Sequence, residues 1–462
     1  MKSKLDYAVA LATTATIALL AGVAHAQITS DRAAVCTTTT INPGHNNCVM
    51  PTATAPGGGS FPGSFLIPGT NTSFAVHGYV ELEIVHKLGP YTGTETFNPY
   101  SLPLEGSGIS AATAQAHAAN GGTSMDANLT RPNIETRTPT AYGLLKTYIE
   151  FDFNQTGTSQ LPGNNDLLRL RQAYGTLGPW LSGQTLSLFA DAQAYADTTV
   201  GEQDAGMMDT LDVRRPQIRY TWSLGNGLSV AGSVEEPTYN NPTGGPFAHA
   251  ADGTAVAVQK IQLSTSVYYN WPHVVVAPEW DQPWGHVKFA AAGGVYDADT
   301  ARTGVLATQA RHEFAGYAFT LSGHLNTWGK DALRGGVVFD HGAADYLPGM
   351  VEAGRVYNDG TGAFTTLNAW AGYVNYEHFF TGQWRANAAF GYDHEYDTNP
   401  GFASAVTLAS IDKSHLTSEL NVIYSPVPQT DFALEWDHGY RKVVSGADSR
   451  DDEIAADLIF YF

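Results

Sequence analysis

The sequence predicts an all-β fold, a transmembrane antiparallel β-barrel of about sixteen strands with short periplasmic turns and long external loops. Three observations carry this prediction. The last strand alternates up to the final residue, an export signal is followed by no membrane helix, and turn signals recur at even spacing.

Side chains on a strand point to opposite faces with period two. Ile454, Ala456, Leu458, Phe460 and Phe462 share one face, while Glu453, Ala455, Asp457 and Tyr461 share the other, with Ile459 its one apolar member. One face suits hydrocarbon and the other water. A closing strand ending on an aromatic resembles the C-terminal signal of bacterial outer-membrane barrels.

At the other end, Lys2 and Lys4 open a basic region, Ala8 to Val23 are apolar, and Ala24-His25-Ala26 is an A-x-A cleavage site. Residues 1–26 therefore read as a secretory signal peptide. After it no window of about 20 apolar residues occurs, so no spanning helix is expected. An exported chain without such a helix enters a membrane only as a closed barrel, because hydrocarbon satisfies no open sheet edge. The expected location is the bacterial outer membrane, with its lipid as surroundings. A soluble secreted β-protein is the alternative; at 462 residues it would need several domains, yet no linker divides the chain after residue 73.

Residues 27–73 are rich in Thr, Pro and Gly and read as a flexible N-terminal segment, and residues 74–462 as the barrel domain. Cys36 and Cys48 fall in that segment and are expected to form one disulfide in an oxidising periplasm. There is no CxxC and no second pair for a metal site, so neither a metal nor a cofactor is expected. The formal net charge of -20 argues against nucleic acid and suits acidic external loops.

Short turns are expected at Thr138-Pro139-Thr140, Gly178 to Gly183, Leu224-Gly225-Asn226-Gly227, Asp281 to Trp284, Thr327 to Lys330, Thr381-Gly382-Gln383 and Pro426 to Gln429. Between consecutive turns lie a strand, a longer polar stretch and another strand. These turns and two terminal strands make sixteen. Whether Ile261 to Asn270 adds a strand or lies in a loop is open.

The alternation holds along the chain. Phe74, Val76, Val80, Leu82 and Ile84 oppose His77, Tyr79, Glu81 and Glu83. Leu145, Thr147, Ile149, Phe151 and Phe153 oppose Lys146, Tyr148, Glu150 and Asp152. Phe432, Leu434 and Trp436 oppose Asp431, Glu435 and Asp437. Trp222, Trp280, Trp284, Trp328 and Trp384 fall near short turns, where an interfacial aromatic girdle lies.

Inward residues decide what a pore passes. Arg131, Arg137, Lys146, Arg169, Arg171, Arg215 and Arg219 occupy the inward phase between about 131 and 222. Arg131, Lys146, Arg169, Arg171 and Arg215 are expected at similar height, forming a cationic ladder with Arg219. Between about 191 and 212, Asp191, Asp197, Glu202, Asp204, Asp209 and Asp212 supply carboxylates and no base. If this loop folds inward it is expected to face the basic wall across a narrow slot with a strong field. Small anionic solutes are then the expected partners, since Arg donates paired hydrogen bonds to carboxylates and phosphates. The alternative is that these cations neutralise Glu135, Glu150 and Asp152, leaving a weakly selective or structural barrel.

The runs Thr147-Tyr148-Ile149-Glu150-Phe151-Asp152-Phe153, Arg169-Leu170-Arg171-Gln172-Ala173-Tyr174-Gly175, Gly183-Gln184-Thr185 and Arg215-Pro216-Gln217-Ile218-Arg219-Tyr220 resemble the DcaP-like porin family in order and spacing over residues 74 to 236. Further on, the likeness is one of rhythm. The resemblance implies a trimeric sixteen-stranded channel for small, mostly anionic molecules such as dicarboxylates, with Arg169, Arg171, Arg215 and Arg219 on the pore wall. Some members carry an N-terminal coiled coil; Gly57-Gly58-Gly59, several prolines and no heptads argue against one here. Small residues expected to face outward, Ala369, Ala371, Ala386 and Ala388, offer a trimer contact through the wall instead.

An outer-membrane hydrolase would need a nucleophile, a base and an acid at one rim. Ser418 near His415 and Asp393 near His394 are the nearest candidates, without a G-x-S-x-G turn. The chain is not expected to be an enzyme.

Overall fold

The computed structural model describes residues 58–88, 102, 121–153, 168–195, 214–237, 266–268, 271–299, 311–343, 346–347, 356–358, 363–365, 368–396, 412–444 and 446–462. Residues 1–26, expected to be a signal peptide, and both cysteines lie outside the described residues.

Sixteen strands form the barrel: β1 (Ser73–Lys87), β2 (Arg131–Thr140), β3 (Gly143–Asp152), β4 (Arg169–Leu177), β5 (Trp180–Leu186), β6 (Arg214–Gly225), β7 (Leu228–Glu235), β8 (His273–Gln282), β9 (Gly285–Asp299), β10 (Arg311–Asn326), β11 (Ala332–His341), β12 (Asn368–Phe379), β13 (Trp384–Tyr396), β14 (Asp412–Tyr424), β15 (Thr430–Val443) and β16 (Asp448–Tyr461). Each pairs antiparallel with its neighbour in sequence. β16 returns to β1 in the register Tyr79↔Tyr461 to Lys87↔Glu453, which closes the sheet and leaves no edge. Ser266–Tyr268 adds a short strand against the end of β9, so the open stretch at 261–270 contains a strand that is not part of the barrel count.

All seven short turns fall where turn chemistry places them, with one shift and one narrowing: the turn expected at 178–183 is Gly178-Pro179, and Trp180 to Gly183 belong to β5. β2 runs through Pro139 to Thr140 and the chain reverses at Ala141-Tyr142. In the turn after β6, Gly225, Asn226 and Gly227 have φ of 86°, 52° and 75°, the left-handed region that glycine and asparagine tolerate.

Alternation sets the two faces. Val76, Val80, Leu82, Ile149, Val274, Phe289, Leu321, Val337, Phe390, Leu420 and Phe460 are exposed on the outside. In water so continuous an apolar band would be a large unpartnered patch; in a bilayer it is the required surface. Trp180, Trp222, Trp280, Trp284 and Trp328 are exposed beside short turns.

Residues 58–72, within the segment expected to be flexible, contain a built hook. Phe65–Leu66 pairs with the start of β1. Phe61 is buried with the Arg137 guanidinium 4.4 Å from its ring.

Candidate functional site

Every cation expected on the ladder faces the interior, but the ladder is not level. Arg137 and Lys146 are cross-strand partners close above the turn at 141–142 and share Glu135, at 2.5 and 3.2 Å. Arg169 stands opposite Asp152, six residues up the strand from Lys146, or about 20 Å. The expectation of equal height is therefore corrected: the later turn brings Lys146 down to the periplasmic rim.

Higher up, Asp152 accepts from Arg169 Nε at 2.8 Å and Nη2 at 2.5 Å, and from Arg171 Nη1 at 2.6 Å. Arg171 Nε lies 3.5 Å from Glu150. For these cations the neutralising alternative describes the geometry. Arg131 stacks on Tyr79 at 5.5 Å and Arg215 on Tyr346 at 4.3 Å. Arg219 donates to Gln217 Oε1 at 3.0 Å and to the Leu186 carbonyl at 2.8 Å. No carboxylate lies within ion-pair distance of Arg219 among the described residues.

The described start of the loop after β5, residues 187–195, folds inward. Glu235 accepts from Ser187 Oγ at 2.6 Å and from the Leu188 amide at 2.7 Å. Lys288 Nζ donates to the Ala190 carbonyl at 2.6 Å. Asp191 accepts from Ser322 Oγ at 2.6 Å, and its other oxygen lies 3.2 Å from His286 Nε2. It also caps a short turn at Ala192–Ala194 by accepting from the Gln193 amide. Gln193 Nε2 reaches Asp281 at 3.2 Å, and Tyr195 packs on Tyr373.

These contacts correct the expected role of Asp191. Asp191 is 3% exposed, and its carboxylate faces β9 and β10, not the arginines. Burial alone would raise its carboxyl, but the His286 hydrogen bond, the Lys288 charge and the Ser322 hydroxyl hold it down at about 2. It anchors the loop. Asp197, Glu202, Asp204, Asp209 and Asp212 lie outside the described residues.

A second inward segment follows β11. Asp340 accepts from the Ala343 amide at 3.0 Å. The Tyr346 hydroxyl is 3.3 Å from His273 Nδ1, and its ring lies 4.9 Å from Phe189. Leu188, Phe189, Tyr346 and Leu347 form one buried cluster with Ala231, Ala277, Ala290, Ala292, Ala318, Ala369 and Ala371. Ala369 and Ala371 therefore face in, contrary to the expected outward placement. They belong to a wall of small side chains that receives the two loops, whereas Ala386 and Ala388 occupy the outward phase of β13.

The arc from β14 through β16 to β1 is acidic. Glu419, Asp431, Glu435, Asp437, Asp451, Glu453, Asp457, Glu81 and Glu83 all face in and are buried. Lys87 pairs with Glu453 at 3.1 Å and Arg385 with Asp431 at 3.2 Å. The interior thus has three arcs: basic on β2–β6, loop-covered on β7–β12, acidic on β14–β1. Among the described residues, acidic side chains of the strands flank the basic wall.

The hydrolase candidates separate. His415 is held by Asp393 at 3.0 Å on the inner face, while Ser418 stands on the outer phase of β14.

A closed sixteen-stranded barrel, apolar outside, charged within and entered by loops, defines a transmembrane channel protein of the bacterial outer membrane. The family model described as porin subfamily matches residues 62–453, and the chain belongs to that family. The outer membrane channel DcaP of Acinetobacter baumannii superposes with a TM-score of 0.67 at 18% identity, over 86% of this chain and 99% of that one. This agrees in fold with the DcaP-like resemblance read from the sequence. Porin Omp2b of Brucella suis is 24% identical over 235 residues, 50% of this chain and 54% of that protein. The match spans about half the length of that curated relative.

Proposed function

We propose that the chain is a passive diffusion channel for small hydrophilic solutes, with a preference for anions such as dicarboxylates. One observation carries the anion reading: Arg219 faces the interior between Arg215 and the lower cations, and among the described residues no carboxylate lies within ion-pair distance of it. A passing carboxylate can accept from the remaining guanidinium N–H groups without displacing an ion pair. Arg131 and Arg215, stacked on tyrosines, extend the same arc.

The acidic arc favours a second reading, a weakly selective or cation-preferring pore. Reversal potentials in a salt gradient separate the two. The anion reading expects a reversal on the chloride side that moves toward cations in Arg219→Ala; a cation-side reversal that the substitution leaves unmoved contradicts it.

We also infer a homotrimer. The outer faces of β2, β3 and β5 carry Thr136, Thr147, Ser182 and Gln184. β5 has 7 residues, fewer than the about 9–11 a lipid-facing strand needs. A neighbouring copy supports such a low, polar wall better than lipid does. Cross-linking of unheated protein is expected to give a three-chain band.

A further inference from the structure

We propose that the acidic arc holds a calcium site formed by Glu419, Glu435 and Asp437, with Glu453 beside them. One carboxylate oxygen from each of the first three lies within 4.8 Å of the others. Ligands on a cation at a Ca–O distance of about 2.4 Å are at most about 4.8 Å apart, so one ion can touch all three. The donors are hard oxygens, which suit calcium and not a soft transition metal. Magnesium demands shorter bonds and near-octahedral order, which this row of three acids fits less well.

Glu435 is oriented by a second layer. Asn421 Nδ2 donates to Glu435 Oε2 at 2.8 Å, and Asn421 Oδ1 accepts from the Asn387 amide at 2.9 Å and its Nδ2 at 3.1 Å. An amide relay of this kind holds a ligand's direction.

Glu453 supplies an independent pointer. It is fully buried and stands directly opposite Asp437 in the β15–β16 register. Its Oε2 has Lys87, but its Oε1 has no hydrogen-bond partner among the described residues. Two buried carboxylates paired across neighbouring strands, one with an oxygen that has no hydrogen-bond partner among the described residues, are unfavourable unless a cation lies near them. The other acid cluster, Glu279, Asp281 and His286, is already occupied by Gln193 and Asp191 in holding the inward loop.

A bound calcium removes two units of negative charge from a wall of the channel. Calcium therefore moves permeation toward anions, by a route separate from Arg219. Loss of calcium binding leaves the Arg219→Ala comparison intact, and failure of the anion reading leaves the calcium titration intact.

The test is calorimetric titration of calcium into the purified detergent-solubilised protein at fixed ionic strength. Wild type is expected to bind one calcium per chain saturably, and Glu435→Gln with Asp437→Asn to weaken it about tenfold or more. No saturable binding, or unchanged affinity in the variant, overturns the proposal. If the variant does not fold, the wild-type thermal midpoint decides. Calcium raises it more than magnesium does when the site exists, and an equal effect of the two ions overturns it.

Discussion

Asp191 and His286 fasten a loop that leaves β5 to the wall built by β9 and β10, carboxylate to imidazole at 3.2 Å. The contact spans the interior between elements far apart in the barrel order, so it fixes where open space remains. Breaking a buried, hydrogen-bonded charge pair costs about 3–5 kcal/mol. Asp191→Ala is expected to release the loop, raising single-channel conductance and open-channel noise. An unchanged current would place the constriction elsewhere.

The same contact predicts an acid response. Asp191 sits at about 2, below its ordinary 3.8. A carboxyl depressed on folding stabilises fully above its ordinary value and loses that contribution as pH falls through the lower one. Channel noise is expected to be flat from neutral pH to about 4 and to rise between about 4 and 2. Asp191→Asn should be noisy already at neutral pH, which pH-stepped recordings check.

Arg169 and Arg171 differ from Arg219 because they are engaged with Asp152 and Glu150. Replacing both with Ala leaves those buried carboxylates without these partners. The double variant is expected to shift the reversal potential toward cations further than Arg219→Ala. It should also lose about 3–5 kcal/mol of stability, seen as a lower temperature for the heat-induced mobility shift.

Gly227 tests the turn after β6. Its φ is 75°, and an added Cβ would collide with the Asp281 carbonyl of the next hairpin. Gly227→Ala is expected to cost more than about 1 kcal/mol, read from thermal unfolding in detergent.

Ala371 and Ala388 test the two faces. Ala371 lies inside, in the cluster that receives Leu188 and Phe189, so Ala371→Leu overpacks it at about 1–3 kcal/mol and displaces the loop. Ala388 lies outside, where Ala388→Leu is expected to be neutral. Thermal unfolding of the pair compares them directly.

The strand faces were legible because alternation is local: the inward phase of Arg169, Arg171, Arg215 and Arg219 follows from sequence alone. Level was not, because it depends on where a hairpin reverses, and Pro139 in a run of threonines imitates a turn while ending a strand. The acidic residues of β15 and β16 could be read as inward, but not their joining with Glu81 and Glu83, which requires closure of the last strand on the first. Loop paths leave the weakest trace. Their signal was a run of inward alanines, Ala231, Ala277, Ala290 and Ala292, too small and apolar for a wall that meets only water. The tyrosine that covers Arg215 comes from a loop more than a hundred residues away in sequence and carries no local mark.

Single-channel recording of the purified protein in a planar lipid bilayer tests the central claim most directly. The barrel described here predicts discrete, stable conductance steps that carry salt through the space between the charged arcs. A bilayer that stays silent with folded protein inserted would contradict it.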